Sequence, residues 1–380
     1  MTIIRSTEKL LSPLVTPALT LRNRVVMAPM SRRRSEKGIP GPSVQQYYSQ
    51  RAGAGLIIAE NTAVAPNGVG YLHAPGIYNS VQKAAWKKVV EEVHGRGGKI
   101  FVQLVHTGRI GHPLNHEGEA PLVAPSVVRA EGVMRTPSGL HVPIPEPEAL
   151  STAGAQALVD AHIQSAVDAI EVGFDGVEIH GAHGFLPEQF LHPHTNLRTD
   201  HYGGSIANRS RFLLEIMEGV AAAIGKDRTG VRLSPFAHIN DLSAYAGESA
   251  THQYIVDALQ QLDILYIHLS NMSTDGIRSI PDAFVRDLRK RFSNLLIQAG
   301  GFTAESAEAA LQDGLADLIA FGKPFIANPD LVERFRKNEP LAVPNEETFY
   351  QGGDRGYIDY PAVLRPAASH VREEWGGTGR

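Results

Sequence analysis

Short runs of Val, Ile and Leu recur along the chain and alternate with helix-length segments whose apolar residues are spaced near 3.6. Such runs are typical of parallel strands that are buried on both faces. The predicted strands are residues 24–28, 55–59, 99–104, 175–179, 230–233, 263–269, 295–299 and 317–321. Predicted helices include residues 81–93, 153–170, 209–224, 253–262 and 305–311. Eight parallel strands joined by helical crossovers close most simply into a (β/α)8 barrel, so we expect an α/β fold with a single TIM barrel.

Two segments interrupt this alternation. Residues 106–150 follow the third strand, carry several prolines and contain the turn-like Pro137-Ser138-Gly139. They predict a long excursion, which is either a lid or capping loop over the barrel mouth or a surface loop without function. Residues 366–380 end in Gly-Gly-Thr-Gly-Arg and predict a disordered, extended C-terminal tail, which leaves residues 1–365 for the barrel domain.

Composition and charge narrow the classes of partner. The 380 residues carry a formal net charge of −4, with 36 basic and 40 acidic residues mixed along the chain. Neither nucleic acid nor a membrane surface is therefore expected, and a small molecule is favoured. The absence of cysteine excludes disulfides, thiolate metal sites and cysteine nucleophiles. No run approaches the roughly 18 apolar residues of a membrane span, so we expect a cytoplasmic monomer or homodimer.

The side chains that follow the predicted strands are the candidates for chemistry, because in a barrel these strand ends converge on one pocket. In chain order they are Pro29-Met30-Ser31, Glu60-Asn61, Gln103 with His106, His180 with His183, Arg232 with Ser234, His268 with Ser270, Gly300-Gly301 and Gly322-Lys323.

The glycines after the last two strands predict a phosphate site. Gly300, Gly301 and Gly322 each lead toward a helix start, where backbone N–H groups and the helix dipole favour an anion. Lys323 adds a positive charge beside them. The alternative is that these glycines only form tight turns, but their position in the barrel favours phosphate binding.

Arg232 and Gln103 fit a cofactor at the same mouth. A fixed positive charge in a dry barrel mouth needs an anionic partner or a strong acceptor, and Arg232 has that position. Gln103 offers both a donor and an acceptor, which suits the edge of a flat heterocycle. Taken singly, either residue is explained better by an internal salt bridge or amide hydrogen bond. Together with the phosphate site they favour a bound cofactor.

The pair His180 and His183 has three interpretations: neutral donors that polarise a substrate carbonyl, metal ligands, or core histidines satisfied by backbone groups. A metal site needs further ligands, for which Glu178, Asp241 and His268 are candidates. A metal would not explain the phosphate site, Arg232 and Gln103, whereas a single cofactor beside the histidine pair explains all three. A cofactor is therefore favoured and no metal is expected.

Six runs carry a family resemblance. They are residues 23–30 (NRVVMAPM), 47–52 (YYSQRA), 98–104 (GKIFVQL), 173–184 (GFDGVEIHGAHG), 196–205 (NLRTDHYGGS) and 321–330 (FGKPFIANPD). In this order and spacing the chain resembles, nearly end to end, the old yellow enzyme family of FMN-dependent ene-reductases.

The resemblance implies FMN across the barrel mouth, with NADPH or NADH as reductant. Gln103 would contact the pyrimidine edge, Arg232 the flavin N1 and C2 carbonyl, and Ser31 the region of a flavin carbonyl. The full set of implied cofactor residues is Ala28, Pro29, Met30, Ser31, Asn61, Gln103, Arg232, Gly300, Gly301, Gly322 and Lys323.

The resemblance also implies a catalytic set. His180 and His183 would donate hydrogen bonds to the oxygen of an α,β-unsaturated carbonyl or nitro compound, whose β carbon takes a hydride from flavin N5. Tyr71 and Tyr350 match positions near the substrate. Phe185 stands where most of the family has a tyrosine that protonates the α carbon, and phenylalanine has no hydroxyl to do so.

Three further departures surround Phe185: Val105 replaces a usual tryptophan, Asn61 a usual small residue and Lys323 a usual arginine. The proton for the α carbon would then come from water, Tyr71 or Tyr350. Alternatively, Phe185 is a substitution without functional consequence. Alternatively, withholding the proton would permit isomerisation or desaturation. The competing classes are a metal-dependent barrel hydrolase or lyase built on His180 and His183, and a flavin-binding protein without turnover.

Overall fold

Eight parallel strands form a closed barrel in the computed structural model, which describes residues 7–271 and 280–362. They are β1 (Val25–Met27), β2 (Leu56–Ala63), β3 (Ile100–Val105), β4 (Gly176–Gly181), β5 (Thr229–Leu233), β6 (Tyr266–Ser270), β7 (Leu295–Ala299) and β8 (Leu318–Phe321). The barrel and all eight predicted strands are confirmed. The tail predicted at residues 366–380 lies outside the described residues.

The barrel closes where β8 pairs with β1, with Ile319 opposite Val25 and Phe321 opposite Met27. Successive side chains of a strand point to opposite faces, and here both faces are buried. Val26 therefore packs inside the barrel, and its neighbour Val25 packs between the strands and the helices. This double burial is the reason that the strands appear in the sequence as uninterrupted apolar runs.

The helices surround the barrel and mostly fill the crossovers between strands. They are α1 (Glu8–Leu11), α2 (Pro42–Gln50), α3 (Ser80–Gly95), α4 (Thr152–Val172), α5 (Leu186–Leu191), α6 (Ile206–Ile224), α7 (Glu248–Gln261), α8 (Asp282–Arg291), α9 (Ala304–Gln312), α10 (Lys323–Ala327) and α11 (Leu331–Lys337). The five predicted helices correspond to α3, α4, α6, α7 and α9. Among the described residues, no helix is both long and apolar enough to cross a membrane.

Local sequence explains where these helices start and stop. The Ser151 and Ser205 side chains accept hydrogen bonds from the Gly154 and Asn208 N–H groups, which caps α4 and α6 at their first turns. Helix α4 ends at Gly173, whose φ of 112° lies in the left-handed region that a glycine reaches at little cost. The chain then turns directly into β4.

The excursion predicted after the third strand is present and lies against the barrel mouth. It contains an antiparallel hairpin, Val133–Arg135 with His141–Pro143, and a short parallel pair, Val123–Ala124 with Glu148–Ala149. Met134 of the hairpin is buried in one apolar cluster with Val105 and Phe185. The excursion is thus packed onto the strand ends, and its action as a lid stays a prediction.

Candidate active site

His180 and His183 lie side by side at the carboxyl end of β4. Their ring centroids are 5.1 Å apart with the planes at 76°, and both side chains are buried. The chain turns sharply between them, because His183 has a φ of 58° and its N–H donates to Ser234 Oγ at 2.8 Å. The structure therefore brings the predicted pair together on one wall of the barrel mouth.

Both imidazoles are neutral. Burial lowers the pKa of His180 and of His183 well below the ordinary value, and the Arg232 charge lowers both further. His180 Nδ1 accepts the Ala182 N–H at 3.3 Å, so the proton of the neutral ring is on Nε2. His180 is thus a neutral hydrogen-bond donor rather than an acid.

Ser270 connects the second histidine with Arg232. Its Oγ accepts a hydrogen bond from Arg232 Nη2 at 3.1 Å and lies 2.7 Å from His183 Nε2. All three side chains are buried. The hydroxyl at the end of β6 therefore holds the guanidinium of β5 and the imidazole that follows β4 in fixed relative positions.

Below this layer lies a buried acid. Glu178 Oε2 is 2.8 Å from His268 Nδ1, and Gln103 Nε2 donates to Glu178 Oε1 at 2.7 Å. Burial alone would raise the pKa of Glu178, but the charge of Arg232 and the interactions with His268 and Gln103 outweigh it, so the pKa is lowered.

Arg232 supplies the permanent counter-charge for Glu178. Burial lowers the pKa of His268, and its Nε2 has no hydrogen-bond partner among the described residues, which a neutral ring tolerates far better than a cation. The anion of Glu178 is therefore balanced by Arg232.

The position where the resemblance places a proton donor is apolar. Phe185 is 5% exposed and shares its cluster with Val105, Ile144 and, at the edge, Tyr71. Its ring meets the His180 ring edge-on, with the centroids 4.8 Å apart, and the Tyr71 ring at 6.4 Å. Met134, on the hairpin of the excursion, is buried in the same cluster.

Buried polar atoms without a hydrogen-bond partner in the described part of the chain include Ser31 Oγ, Asn61 Oδ1 and Arg232 Nε, which lie around the mouth. They come from the ends of three different strands. Asn61 lies where the pairing of β2 with β3 shifts register between Ala59 and Thr62, an irregularity that turns side chains toward a site. Unpaired buried donors and acceptors are costly, so this arrangement fits a bound polar heterocycle such as a flavin.

Of the three glycines proposed to hold a phosphate, Gly301 has open space beside its backbone. Gly301 has a φ of 64° and space where a Cβ would lie, while a Cβ on Gly300, at φ 121°, would come within 2.2 Å of the Asn271 carbonyl oxygen. Gly322 lies beside Met30, whose Sδ would be 3.5 Å from its Cβ. Backbone can therefore approach a phosphate closely here. Lys323 is not brought to these loops, because its Nζ pairs with Glu346 at 3.0 Å and its side chain is 71% exposed.

The remaining predicted residues lie on either side of the mouth. Ala28 and Pro29 are buried directly after β1, and the Ala28 N–H donates to the Phe321 carbonyl at 3.0 Å, which ties β1 to β8. Tyr71 is partly buried, and the neighbouring Asn240 side chain lowers the pKa of its hydroxyl in part. Tyr350 is 52% exposed.

Sequence reasoning assigned no role to four residues that hold this site. Ser234 and Ser270 were noted only as strand-end residues, whereas Glu188 and Asn240 were not recognised. Glu188, on α5, accepts the Gly184 N–H at 2.6 Å and the Ser234 hydroxyl at 3.1 Å, and Asn240 Nδ2 donates to the His183 carbonyl at 2.8 Å. An acid in the otherwise uncharged segment of α5 was the available signal.

Within residues 7–271 and 280–362, no group of three or more His, Cys, Asp or Glu side chains is placed to hold a metal ion. Two of the candidate ligands named from the sequence, Glu178 and His268, are bonded to each other.

Comparison with known proteins shows the family to which the chain is similar. The model of the NADH:flavin oxidoreductase / NADH oxidase family matches residues 9–342. The chain is 41% identical over 377 residues to 12-oxophytodienoate reductase 7 of Oryza sativa subsp. japonica, covering 94% of this chain and 95% of that protein.

Solved structures agree as well. Morphinone reductase in complex with tetrahydroNAD is 43% identical with a TM-score of 0.89, over 94% of this chain and 98% of that one. The old yellow enzyme homologue from Zymomonas mobilis is 38% identical with a TM-score of 0.89, over 94% of this chain and 100% of that one.

Proposed function

The chain belongs to the NADH:flavin oxidoreductase / NADH oxidase family as an FMN-dependent oxidoreductase of the old yellow enzyme type, and we propose that it reduces an α,β-unsaturated carbonyl or nitro compound held by His180 and His183. Bound FMN supplies the hydride, which it takes from NADPH or NADH. The observation that carries the proposal is the pair of neutral, buried imidazoles beside Arg232 at the barrel mouth.

The cofactor residues proposed from the sequence fit the unpaired atoms of the site. Ser31 Oγ, Asn61 Oδ1 and Arg232 Nε are available to a ligand, and Gln103 keeps its carbonyl and one N–H free of Glu178. We assign these four to the flavin ring. Gly300, Gly301 and Gly322 would hold the phosphate through backbone N–H groups.

His180 and His183 act as donors to the substrate oxygen. Negative charge develops on that oxygen as the β carbon gains hydride, so hydrogen bonds from neutral imidazoles strengthen during the step. His180 Nε2 carries the proton that this requires. His183 would exchange its contact with Ser270 for the substrate oxygen.

The α carbon must receive a proton from a group other than Phe185. Of the two tyrosines proposed near the substrate, Tyr71 fits better, because it packs at the edge of the cluster around Phe185 whereas Tyr350 is half exposed. Burial raises the pKa of Tyr71, although Arg33 and Asn240 lower it in part, so the hydroxyl keeps its proton at neutral pH. We propose Tyr71, directly or through water, as the donor.

Transient reduction and reoxidation of the bound flavin test the function. The holoprotein is reduced anaerobically by NADPH or NADH and then mixed with an enone. We expect the flavin absorbance to return, with deuterium from a 4-deuterated nicotinamide at the β carbon and solvent hydrogen at the α carbon. His180→Ala should slow this second step about 10²- to 10³-fold.

The exposed His201 is the matched control, and His201→Ala should leave both steps unchanged. Reoxidation that is as fast in His180→Ala and in His183→Ala as in the parent would contradict the assigned roles. A yellow protein that neither nicotinamide bleaches would favour flavin binding without turnover.

The apolar surroundings of Phe185 favour one second candidate, an isomerase. An alkene that accepts hydride at the β carbon but is not protonated at the α carbon can rotate about the former double bond and then return the hydride. The net reaction changes the alkene geometry and consumes no nicotinamide. Isomerised alkene formed with substoichiometric NADPH would support this candidate, and saturated product in proportion to NADPH would contradict it.

A further inference from the structure

Arg33 places a cation between the two tyrosines proposed to flank the substrate. It lies in the loop after β1 with a φ of 54°, and its guanidinium carbon is 4.3 Å from the Tyr71 ring centroid and 4.5 Å from that of Tyr350. The guanidinium therefore makes cation–π contacts with both rings. These ring contacts satisfy none of its N–H donors, and Nε is buried without a hydrogen-bond partner among the described residues.

The guanidinium groups of the neighbouring arginines have hydrogen-bond partners, whereas Arg33 Nε has none among the described residues. Arg32 donates to the Phe349 and Gly356 carbonyls at 3.0 and 2.8 Å, and Arg34 donates to backbone carbonyls of the same C-terminal segment. In contrast, Arg33 Nε is buried without a hydrogen-bond partner, and Arg33 is in no ion pair among residues 7–271 and 280–362.

The charge of Arg135 adds to the cost of burying this guanidinium. Arg135, on the hairpin of the excursion, has the same sign, and together with burial it lowers the pKa of Arg33 against the opposing effect of the two tyrosines. A half-buried cation that is repelled by another cation is stable only if an anion joins them or water reaches both. Contacts within the protein therefore leave this site with excess positive charge.

We propose that Arg33 binds a carboxylate carried by the alkene substrate, at the opposite end of the substrate slot from His180. Three successive ring contacts, from His180 to Phe185, Tyr71 and Arg33, connect the two ends. The substrate class is then an activated alkene with an acid group several bonds from the carbonyl. This inference rests on the proposed function of the histidine pair.

A phosphate of the nicotinamide dinucleotide is also an anion that a guanidinium can bind, and it would enter the same barrel mouth. The test must therefore separate this phosphate from the substrate carboxylate. The matched ligands are an enone that bears a carboxyalkyl chain and its methyl ester. The variants are Arg33→Leu, which removes the charge, and Arg33→Lys, which keeps the charge but not the planar fork. The control is Arg129→Leu, an exposed arginine of the excursion that pairs with Glu131.

We expect KM for the acid to rise about 10- to 100-fold in Arg33→Leu, the loss of one charge-assisted contact, and KM for the ester to change less than about twofold. Arg33→Lys should lie between the parent and Arg33→Leu for the acid, and Arg129→Leu should match the parent for both. Equal losses for acid and ester would mean that Arg33 only holds the tyrosines, which would overturn the proposal.

The nicotinamide is tested in the reductive step. A loss confined to flavin reduction by NADPH or NADH, with the ratio of acid to ester unchanged, would assign the anion to the dinucleotide and also overturn the proposal.

Binding of the saturated acid and its ester, followed by calorimetry, separates this inference from the proposed function. Acid-selective binding that Arg33→Leu removes would support the inference even in a protein that reduces no alkene. Normal reduction of both enones by every variant would reject the inference and leave the function standing.

Discussion

At position 185, where the resemblance implies a tyrosine, the side chain is apolar and lies in an apolar cluster. Phe185 and Val105, two of the residues that depart from the family pattern, touch the same apolar cluster as Met134 of the excursion. The sequence identified both departures through the resemblance, but it could not show that they are neighbours, because the contact depends on the path of a long loop. The cluster explains why phenylalanine is stable here: a tyrosine hydroxyl would need a partner in apolar surroundings.

Restoring the hydroxyl tests whether proton supply limits turnover. We expect Phe185→Tyr to accelerate formation of the saturated product by about 10²-fold, the lower range for general acid catalysis, and to suppress any isomerised product. The measurement is single-turnover reoxidation of the reduced flavin by an enone, with product analysis. Phe185→Leu, which also lacks a hydroxyl, is the control and should remain slow. An unchanged rate and product in Phe185→Tyr would show that protonation is supplied fully elsewhere.

Single residues also show how far sequence interpretation carries. Gln103 and Arg232 both make internal hydrogen bonds, to Glu178 and to Ser270, while Arg232 Nε has no partner among the described residues. Their contacts with a cofactor stay a prediction. The choice between internal and ligand bonds depends on distances that no residue pattern encodes. Lys323 illustrates the same limit, because its long side chain reaches Glu346 rather than the glycine loops.

At the level of elements, the apolar pattern predicted all eight strands but only some of the helices. The predicted helices included neither α2 nor α8, and both have little apolar sequence. In α8 the sequence is DAFVRDLRKR, in which only Phe284, Val285 and Leu288 are buried. In α2 the buried face is largely Tyr47 and Tyr48. A narrow or aromatic apolar face is enough for a helix that covers a barrel, but it gives a weak periodic signal.

Helix α5 stabilises the histidine turn through a buried acid. Burial raises the pKa of Glu188 from 4.5 to about 8, so the native protein holds a proton there that the unfolded chain has lost above pH 4.5. Because the native state binds more protons across this interval, the free energy of unfolding must fall as pH rises from about 4.5 to 8 and then level off. The slope for one proton is at most about 1.4 kcal/mol per pH unit.

Glu188→Gln should remove this contribution while keeping an acceptor for the Gly184 N–H. We expect its unfolding free energy, measured by urea denaturation with FMN present, to decline less steeply than that of the parent between pH 5 and 8. Glu218→Gln on the exposed face of α6 should follow the parent. Parallel curves for Glu188→Gln and the parent would mean that Glu188 is ionised in the folded protein.

For the whole molecule, topology was the strongest information in the sequence. Counting eight buried strands was enough to predict that twelve residues or short runs lie near one face, since parallel strands of a closed barrel all end there. What the count left open is the arrangement within that face, which depends on loops such as the excursion and the C-terminal segment held by Arg32 and Arg34. Two glycines from opposite faces of the barrel can test whether only the face at the carboxyl ends of the strands binds the cofactor.

Gly301 follows β7 at the mouth, and Gly314 precedes β8 at the opposite face. Their backbones are matched, with φ of 64° and 68° and no atom within 4 Å of an added Cβ. Alanine at either site should therefore cost a similar free energy of unfolding in the FMN-free protein, about 1 to 2 kcal/mol.

Only Gly301→Ala should weaken the binding of FMN, by about 10- to 100-fold. The added Cβ enters the space proposed for the phosphate, and a charge-assisted contact is lost. Thermal unfolding of the FMN-free variants and fluorescence titration with FMN give the two quantities separately. Equal FMN affinity in the two variants would place the phosphate elsewhere, whereas an equal stability cost with unequal affinity would tie it to the loop after β7.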